Sequence, residues 1–256
     1  TKPSPQGPMP QTGRTAKGIP LGLVALLLTG VGSLVAVTPV DQAWTVALIE
    51  RGHDLFVDLT RRTLFEGGPP GFSDLPILAL LLTGWLYYRE QRGHTRPALD
   101  QNPAQVSRWA EWRPALGYLV VSALATGLGA VHSLKWLMGR ARPVEVLSWH
   151  RLDYSAWYEF GPHYIDQGLY RGSFPSGHTA AAIVLMALAY VLAADPFASR
   201  RMRLWGWALG CFSVLMATAM LVGAGMAERH WVSDGIGSIA LLWPLVHVLY
   251  FSVLRV

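Results

Sequence analysis

Long apolar segments without charged residues constrain this chain more than any other feature of its sequence. Five of them run from Gly18 to Val40, Pro114 to Leu134, His178 to Ala194, Leu204 to Ala227 and Gly235 to Leu254. A helix that crosses a bilayer needs about 20 predominantly apolar residues, and a soluble protein rarely contains several uncharged runs of that length. A sixth segment, Leu75 to Tyr88, is short but can be extended through Phe72 and Gly71. The sequence therefore predicts an all-α polytopic membrane protein with six transmembrane helices over residues 18–256, in preference to a soluble helical bundle.

The positive charges between these segments predict the orientation of the chain. With the N-terminus inside, twelve of the 21 Lys and Arg residues lie on the cytoplasmic side and nine lie outside. This bias has the sign of the positive-inside rule, so both termini are expected in the cytoplasm. The net charge of +5 is spread over these loops and does not indicate a nucleic-acid partner. The single cysteine, Cys211, lies in an apolar run, so no disulfide framework is expected.

Three segments outside the spans have distinct compositions. Residues 1–17 contain four prolines and no apolar periodicity, which predicts a mobile cytoplasmic tail. A cleaved signal peptide is the alternative for this end of the chain, but the apolar run that follows is longer than the ~7–15 residues of a signal core. Residues 41–65 mix charged and large apolar side chains, so an amphipathic helix at the outer interface is expected. The outer loop, residues 144–172, is rich in Trp and Tyr, which fits either an aromatic belt or a substrate-shaping lid.

Three polar segments that are far apart in sequence meet at the outer membrane face in this topology. One follows the third span, one begins the fourth, and one lies between the fifth and the sixth. They contribute, in that order, Lys135 with Arg142, the run Ser176-Gly177-His178, and His230 with Asp234. On a helix, the spacing of four between His230 and Asp234 would put the imidazole and the carboxylate on one face. The topology therefore predicts one composite site.

These residue types suit phosphate chemistry. Cations, a hydroxyl group and the unpaired N–H groups of a helix start are the usual ligands of a phosphate. His230 can attack phosphorus while Asp234 holds its tautomer, and His178 can protonate the leaving oxygen. No cluster of carboxylates suggests a metal ion, and Lys and Arg meet the phosphate charge. We therefore expect neither a metal nor another cofactor.

The three segments resemble the signature motifs of a known family. Lys135-x6-Arg142-Pro143, Pro175-Ser176-Gly177-His178 and His230-x3-Asp234 look, in this order, like the motifs of the type 2 phosphatidic acid phosphatase superfamily of integral-membrane lipid phosphatases. The resemblance implies a six-span core and a metal-independent phosphohistidine mechanism. In it, His230 is the nucleophile, Asp234 its partner and His178 the acid. The positions that match the family's phosphate-binding residues are Lys135, Arg142, Ser176 and Gly177.

The resemblance also implies a substrate and a location. The substrate is a lipid phosphomonoester or pyrophosphate, with undecaprenyl pyrophosphate, phosphatidylglycerol phosphate, phosphatidic acid and lipid A phosphate as candidates. The expected location is the bacterial inner (plasma) membrane, with the active site on the periplasmic or extracellular side. Transfer of the phosphoryl group to another lipid is an alternative outcome of the same intermediate. A vanadium-dependent oxidase is a further chemical possibility, but the soluble character of that branch argues against it.

One position departs from the family pattern. The family's Ser-Arg ahead of the nucleophile is replaced by Gly223 and Ala224. Loss of a charge-assisted contact removes roughly 1.5–3 kcal/mol, or about ten- to a hundredfold in rate if the contact acts in the transition state. Arg229, Arg140 and Arg171 are close in sequence to the motifs and are the candidates to supply the missing charge. A catalytically weak or silent lipid-binding homologue is the alternative interpretation.

Overall fold

The computed structural model describes residues 18–61, 78–79, 81–86, 88–89, 113–165, 172–194 and 199–253. Within these ranges the chain is helical and has no β-strand, which confirms the all-α class. The predicted tail, residues 1–17, lies outside the described residues. So does much of the predicted span from Leu75 to Tyr88, of which the described residues are helical.

Eight α-helices make up most of the described chain. Helix α1 is continuous with α2 through a 3-10 turn, Thr38–Val40, and α4 is joined to α5 by a π-helical stretch, Leu124–Ala130. A second π-helical turn, Val144–Ser148, follows α5. The helices are α1 (Gly18–Val37), α2 (Asp41–Glu50), α3 (Asp54–Arg61), α4 (Arg113–Ala123), α5 (Val131–Met138), α6 (Gly177–Ala193), α7 (Arg200–Met226) and α8 (Val232–Val253).

Four helical segments in the described ranges are long and apolar enough to cross a membrane. They are Leu21–Glu50, Pro114–Met138, Arg200–Met226 and Val232–Ser252. Helix α6 is equally apolar but has 17 residues, so the described chain supports four spans where the sequence predicts six. Large apolar side chains on α1 and α7 point outwards, with Leu28 70% and Trp207 69% exposed. Such a surface is stable against lipid and unfavourable in water, so we describe the protein as transmembrane.

The segment predicted as one interfacial helix, residues 41–65, contains two helices in its described part. Helix α2 ends at Glu50 and α3 begins at Asp54, and residues 62–65 lie outside the described ranges. Helix α2 continues the apolar segment that begins at Leu21. It also buries two polar side chains, those of Asp41 and Thr45, against the start of α8. This part of the chain therefore contributes to the protein core, and its interfacial position stays a prediction.

Helix α6 is the centre of the bundle and carries small residues on its packing surface. It packs along α7 and contacts α4 and α8. Ala180, Ala182 and Ala187 are almost fully buried there. A Cβ atom at Gly206 of α7 would lie 2.6 Å from the backbone nitrogen of Ala193, so a glycine is required for this approach. Small residues allow helices to pack closely, and this contact joins the end of α6 to the first part of α7.

Candidate active site

The three motif segments are joined by direct contacts at one end of the bundle. The backbone N–H of Ser176 donates to the carbonyl of Asp234 over 3.1 Å, and the Ser238 hydroxyl donates to the carbonyl of Ser176 over 2.8 Å. The indole N–H of Trp231 donates to the carbonyl of Ala141 over 2.8 Å. These bonds connect the loop after α5, the start of α6 and the start of α8. The structure therefore brings together the segments that the topology predicted to meet.

The start of α6 has the features of an anion-binding helix terminus. Ser176 is the N-cap, and its hydroxyl oxygen accepts from the Thr179 N–H over 3.4 Å. Among the residues that the structure describes, no heavy atom lies within 4 Å of a Cβ atom built on Gly177, outside the helix's own backbone and the chain neighbours. Open space therefore borders the first turn, where helix N–H groups have no intrahelical acceptor.

The two motif histidines face each other across this end of the bundle. The ring centroids of His178 and His230 are 5.9 Å apart, with an angle of 68° between the ring planes. His178 belongs to the first turn of α6, whereas His230 lies in the turn between α7 and α8. One imidazole can therefore act on each side of a group bound between them.

The contact between His230 and Asp234 arises from a turn and not from a helix face. Helix α8 begins at Val232, after His230, and Asp234 Oδ2 accepts from the backbone N–H of Trp231 over 2.8 Å. This bond folds the carboxylate back, so that Oδ2 lies 3.5 Å from His230 Nδ1. That distance is longer than an optimal charge-assisted hydrogen bond, so the imidazole and the carboxylate are in ion-pair range without a well-formed hydrogen bond.

The environment of His230 keeps its imidazole neutral. The side chain is almost fully buried. Burial is the main cause that lowers the pKa of His230 to about 3; the contact with Asp234 opposes this effect, and the positive charges of Lys135 and Arg142 add to it. A neutral imidazole has a lone pair available near pH 7, which a nucleophile requires.

Lys135 is held at the end of α5 by the backbone that leads into α6. Its ammonium group donates to the carbonyl of Gly172 over 2.8 Å and lies 3.5 Å from the carbonyl of Ser173. A Cβ atom on Gly172 would be 2.3 Å from the Lys135 carbonyl oxygen, so only glycine fits this close approach. An ammonium group has three donors, and the backbone uses at most two of them here.

Arg142 and Arg229 line one cavity. The cavity has a volume of about 630 Å³ and is lined by Arg142, Val144, Glu145, Ser148, Trp149, Ala227, Glu228 and Arg229. The backbone N–H of Arg142 donates to Glu145 over 2.8 Å, which fixes the loop at the cavity wall. Neither His178 nor His230 belongs to this lining. The cavity is therefore not the space between the two histidines, although its lining residue Arg229 immediately precedes His230 in the chain.

Arg140 has a different environment from the other two candidate cations. Its side chain is fully buried, and Nη1 donates to Asp234 Oδ1 over 2.7 Å. Nη2 donates to Asp41 Oδ2 over 2.8 Å. Burial lowers the pKa of Arg140, but the carboxylates of Asp234 and Asp41 outweigh this effect and raise it. The sequence analysis did not single out Asp41; its only signal was a carboxylate directly after the first apolar run. Arg171 lies outside the described residues.

The described part of the aromatic outer loop packs onto this end of the bundle. The Trp157 ring stacks on Phe174 at a centroid distance of 6.0 Å, and its indole N–H donates to Thr38 over 2.9 Å. Tyr158 and Phe160 remain exposed, at 59% and 63%. Both interpretations of the loop, an aromatic belt and a substrate-shaping lid, stay predictions.

Comparison with known proteins agrees with the motifs. The family model described as PAP2 superfamily matches residues 114–255. No curated protein and no solved structure matches the chain at the required significance. The matched region covers more than half of the chain and contains all three motif segments, from Lys135 to Asp234. This chain belongs to the PAP2 superfamily, the type 2 phosphatidic acid phosphatase superfamily that its motifs resemble.

Proposed function

We propose that this protein is a membrane lipid phosphatase that hydrolyses a lipid phosphomonoester or pyrophosphate through a phosphohistidine at His230. Family membership supports a phosphatase-type activity. The observation that carries the proposal is the pair of facing imidazoles, 5.9 Å apart, of which His230 is buried beside a carboxylate. This arrangement provides a neutral nucleophile and a separate proton donor.

The reaction proceeds in two steps. In the first, Nε2 of His230 attacks phosphorus, the bond to the lipid oxygen breaks, and His178 gives that oxygen a proton. The imidazole of His230 becomes positively charged, and Asp234 accepts the hydrogen bond from its Nδ1–H. In the second step, His178 takes a proton from water as the water oxygen attacks phosphorus. The bond between phosphorus and Nε2 of His230 breaks, which releases phosphate and restores the neutral imidazole. No metal ion is needed in this scheme.

The phosphate is bound by both side chains and the backbone. Lys135 contributes its remaining ammonium donor, and Arg142 contributes its guanidinium from the adjacent cavity. Ser176 and the N–H groups near Gly177 contribute donors at the start of α6. These groups neutralise negative charge on the phosphate oxygens. This neutralisation becomes more important as charge develops in the transition state.

Arg229 supplies the charge that the family's missing arginine would provide. It follows Ala224 within one turn, since its backbone N–H donates to the Ala224 carbonyl over 3.0 Å, and it shares the cavity with Arg142. Arg140 is a poorer candidate because two carboxylates already bind its guanidinium. Arg171 is the remaining alternative.

The site acts at the outer face of a bacterial inner membrane. In this proposal the chain crosses the membrane six times, with both termini in the cytoplasm and α6 among the spans. Exposed aromatic residues such as Tyr158 and Phe160 lie in the loop that packs on the site end of the bundle. Aromatic side chains favour the headgroup level, where a lipid phosphate also lies.

Phosphate release by detergent-purified protein tests the function. The substrates are phosphatidic acid, phosphatidylglycerol phosphate, undecaprenyl pyrophosphate and lipid A. We expect release from at least one of them by the wild type and none by His230→Ala. Equal release by His230→Ala, or no release from any substrate by the wild type, would contradict the proposal. Product analysis in the presence of an acceptor lipid distinguishes hydrolysis from transfer.

A further inference from the structure

We propose that Arg140 and Asp41 are positioning residues that orient Asp234 and set its charge for the nucleophile His230. This inference rests on the proposed function, because it assigns a task in the same reaction. Neither residue contacts the phosphate in this account. Both act through the carboxylate of Asp234.

Arg140 determines which oxygen of Asp234 is available to the histidine. Nη1 of Arg140 binds Oδ1 over 2.7 Å. The other oxygen, Oδ2, accepts from the Trp231 N–H and faces His230 Nδ1. The carboxylate is thus held from both sides, and it cannot rotate without losing a buried charge-assisted bond. Its orientation towards the imidazole is therefore fixed before substrate binds.

Asp41 binds both the second nitrogen of the Arg140 guanidinium, Nη2, and the first turn of α8. Its Oδ2 accepts from Arg140 over 2.8 Å and from the Ser233 hydroxyl over 2.5 Å, and its Oδ1 accepts from the Ser233 backbone N–H over 2.8 Å. Tyr154 donates to the same carboxylate over 3.1 Å. Since Ser233 immediately precedes Asp234, Asp41 sets the position of the residue that carries the catalytic carboxylate.

The charge balance of this cluster favours the reaction. One guanidinium is shared by two carboxylates, and all three side chains are fully buried. The cluster therefore retains one negative charge beside His230. Attack on phosphorus makes the imidazole positive, and a buried negative charge at this distance stabilises that product far more than a solvated one would. Without Asp41, Arg140 would neutralise Asp234 alone and the stabilisation would weaken.

Asp41 lies outside the region that the family model matches, residues 114–255. It begins α2, the helix that continues the first apolar segment, and reaches Arg140 across 99 positions of sequence. The N-terminal helices therefore contribute a working part of the site and are more than a membrane anchor.

A double-mutant cycle tests this role against a purely structural one. Arg140→Lys keeps the positive charge but loses the two guanidinium nitrogens that bind Asp234 and Asp41. Asp41→Asn keeps the shape of the side chain but loses its negative charge. Each should lower kcat about ten- to a hundredfold with KM nearly unchanged, because each weakens one charge-assisted interaction away from the substrate. In an Asp234→Asn background, neither substitution should lower kcat further. Arg200→Lys, at an exposed position at the start of α7, is the matched control and should change neither constant.

Two kinetic results would contradict the positioning role. If either substitution lowers kcat by the same factor with and without Asp234, or changes KM alone, the positioning role is wrong. Thermal unfolding in detergent identifies a variant that has lost its fold, and the near-isosteric Asp41→Asn then carries the test. A second readout does not depend on the substrate: the rate at which diethyl pyrocarbonate modifies His230, followed by mass spectrometry. That rate should fall in both variants even if no lipid phosphate is hydrolysed, and an unchanged rate would overturn the inference while leaving the proposed function standing.

Discussion

Arg140 donates to Asp234 over 2.7 Å, and both side chains are completely buried. The two residues are 94 positions apart in sequence, so this bond exists only when α8 is packed against the loop that follows α5. The ion pair therefore joins two of the three motif segments, and its loss should affect the stability of the fold as well as the reaction.

Arg140→Ala should strongly destabilise the protein. The substitution leaves Asp41 and Asp234 buried without their shared cation, and breaking a buried ion pair in this way costs about 3–5 kcal/mol. Thermal unfolding in detergent should show a large decrease in the midpoint, with a smaller one for Arg140→Lys. Arg200→Ala at the exposed start of α7 is the control. Equal midpoints for Arg140→Ala and the control would mean that the buried pair contributes no stability.

Arg229→Ala should behave like Arg142→Ala. Both residues line the same cavity, and each substitution would remove one charge-assisted phosphate contact. We therefore expect kcat/KM to fall about ten- to a hundredfold in each variant. Steady-state kinetics with the preferred lipid phosphate measures this. Arg171→Ala is assayed in parallel. A normal rate for Arg229→Ala together with a slow Arg171→Ala would move the compensating charge to Arg171.

Acid should destabilise the wild type partly through His230. Its folded-state pKa of about 3 lies below the value of about 6.5 in an unfolded chain, so between these pH values the unfolded state binds more protons. The associated stability is complete above pH 6.5 and is lost as the pH falls; at about pH 5 the loss is on the order of 1–2 kcal/mol. Unfolding of the wild type and His230→Gln is compared between about pH 7.5 and about pH 5. The variant should lose less stability, and identical losses would contradict a buried neutral imidazole.

Gly177→Ala should impair substrate binding without destabilising the fold. A methyl group there meets no heavy atom of the described ranges within 4 Å, outside its own helix backbone and chain neighbours, so we expect the fold to accommodate it. The methyl group occupies the space beside the helix N–H groups. We expect a higher KM with an unchanged or slightly raised unfolding midpoint, since alanine restricts the unfolded chain more than glycine does. Gly210→Ala is the control, because its methyl group would make ordinary contacts of 3.6 Å or more. An unchanged KM would show that ligand does not approach the main chain at Gly177.

The all-α fold class and the proximity of the three motif segments were both predictable from the sequence. Uncharged apolar runs are a property of composition along the chain, and the motif residues lie at the ends of those runs. The same apolar runs do not determine the number of spans, because α6 has 17 residues and lies at the lower limit for a membrane helix.

The contacts of individual side chains were not predictable from the sequence. The spacing of His230 and Asp234 predicted a shared helix face, but α8 begins only after His230, and the Trp231 N–H holds the carboxylate. Its closeness in sequence to the motifs makes Arg140 a candidate for the missing charge, whereas the structure shows its guanidinium bound to two carboxylates. Its partner Asp41 comes from a distant helix, and only tertiary packing brings the two together.

The proposed function requires His230 to carry the phosphoryl group. This intermediate can be trapped most directly in His178→Ala with an aryl phosphate. An aryl leaving group needs no proton from an acid, so the first step proceeds, whereas attack by water still needs the missing base. We predict that an acid-labile phosphoryl group accumulates on His230, detected by mass spectrometry under alkaline conditions, and that His178→Ala/His230→Ala contains none. Phosphate on another residue, or turnover by His178→Ala without a covalent intermediate even at the earliest times, would contradict it.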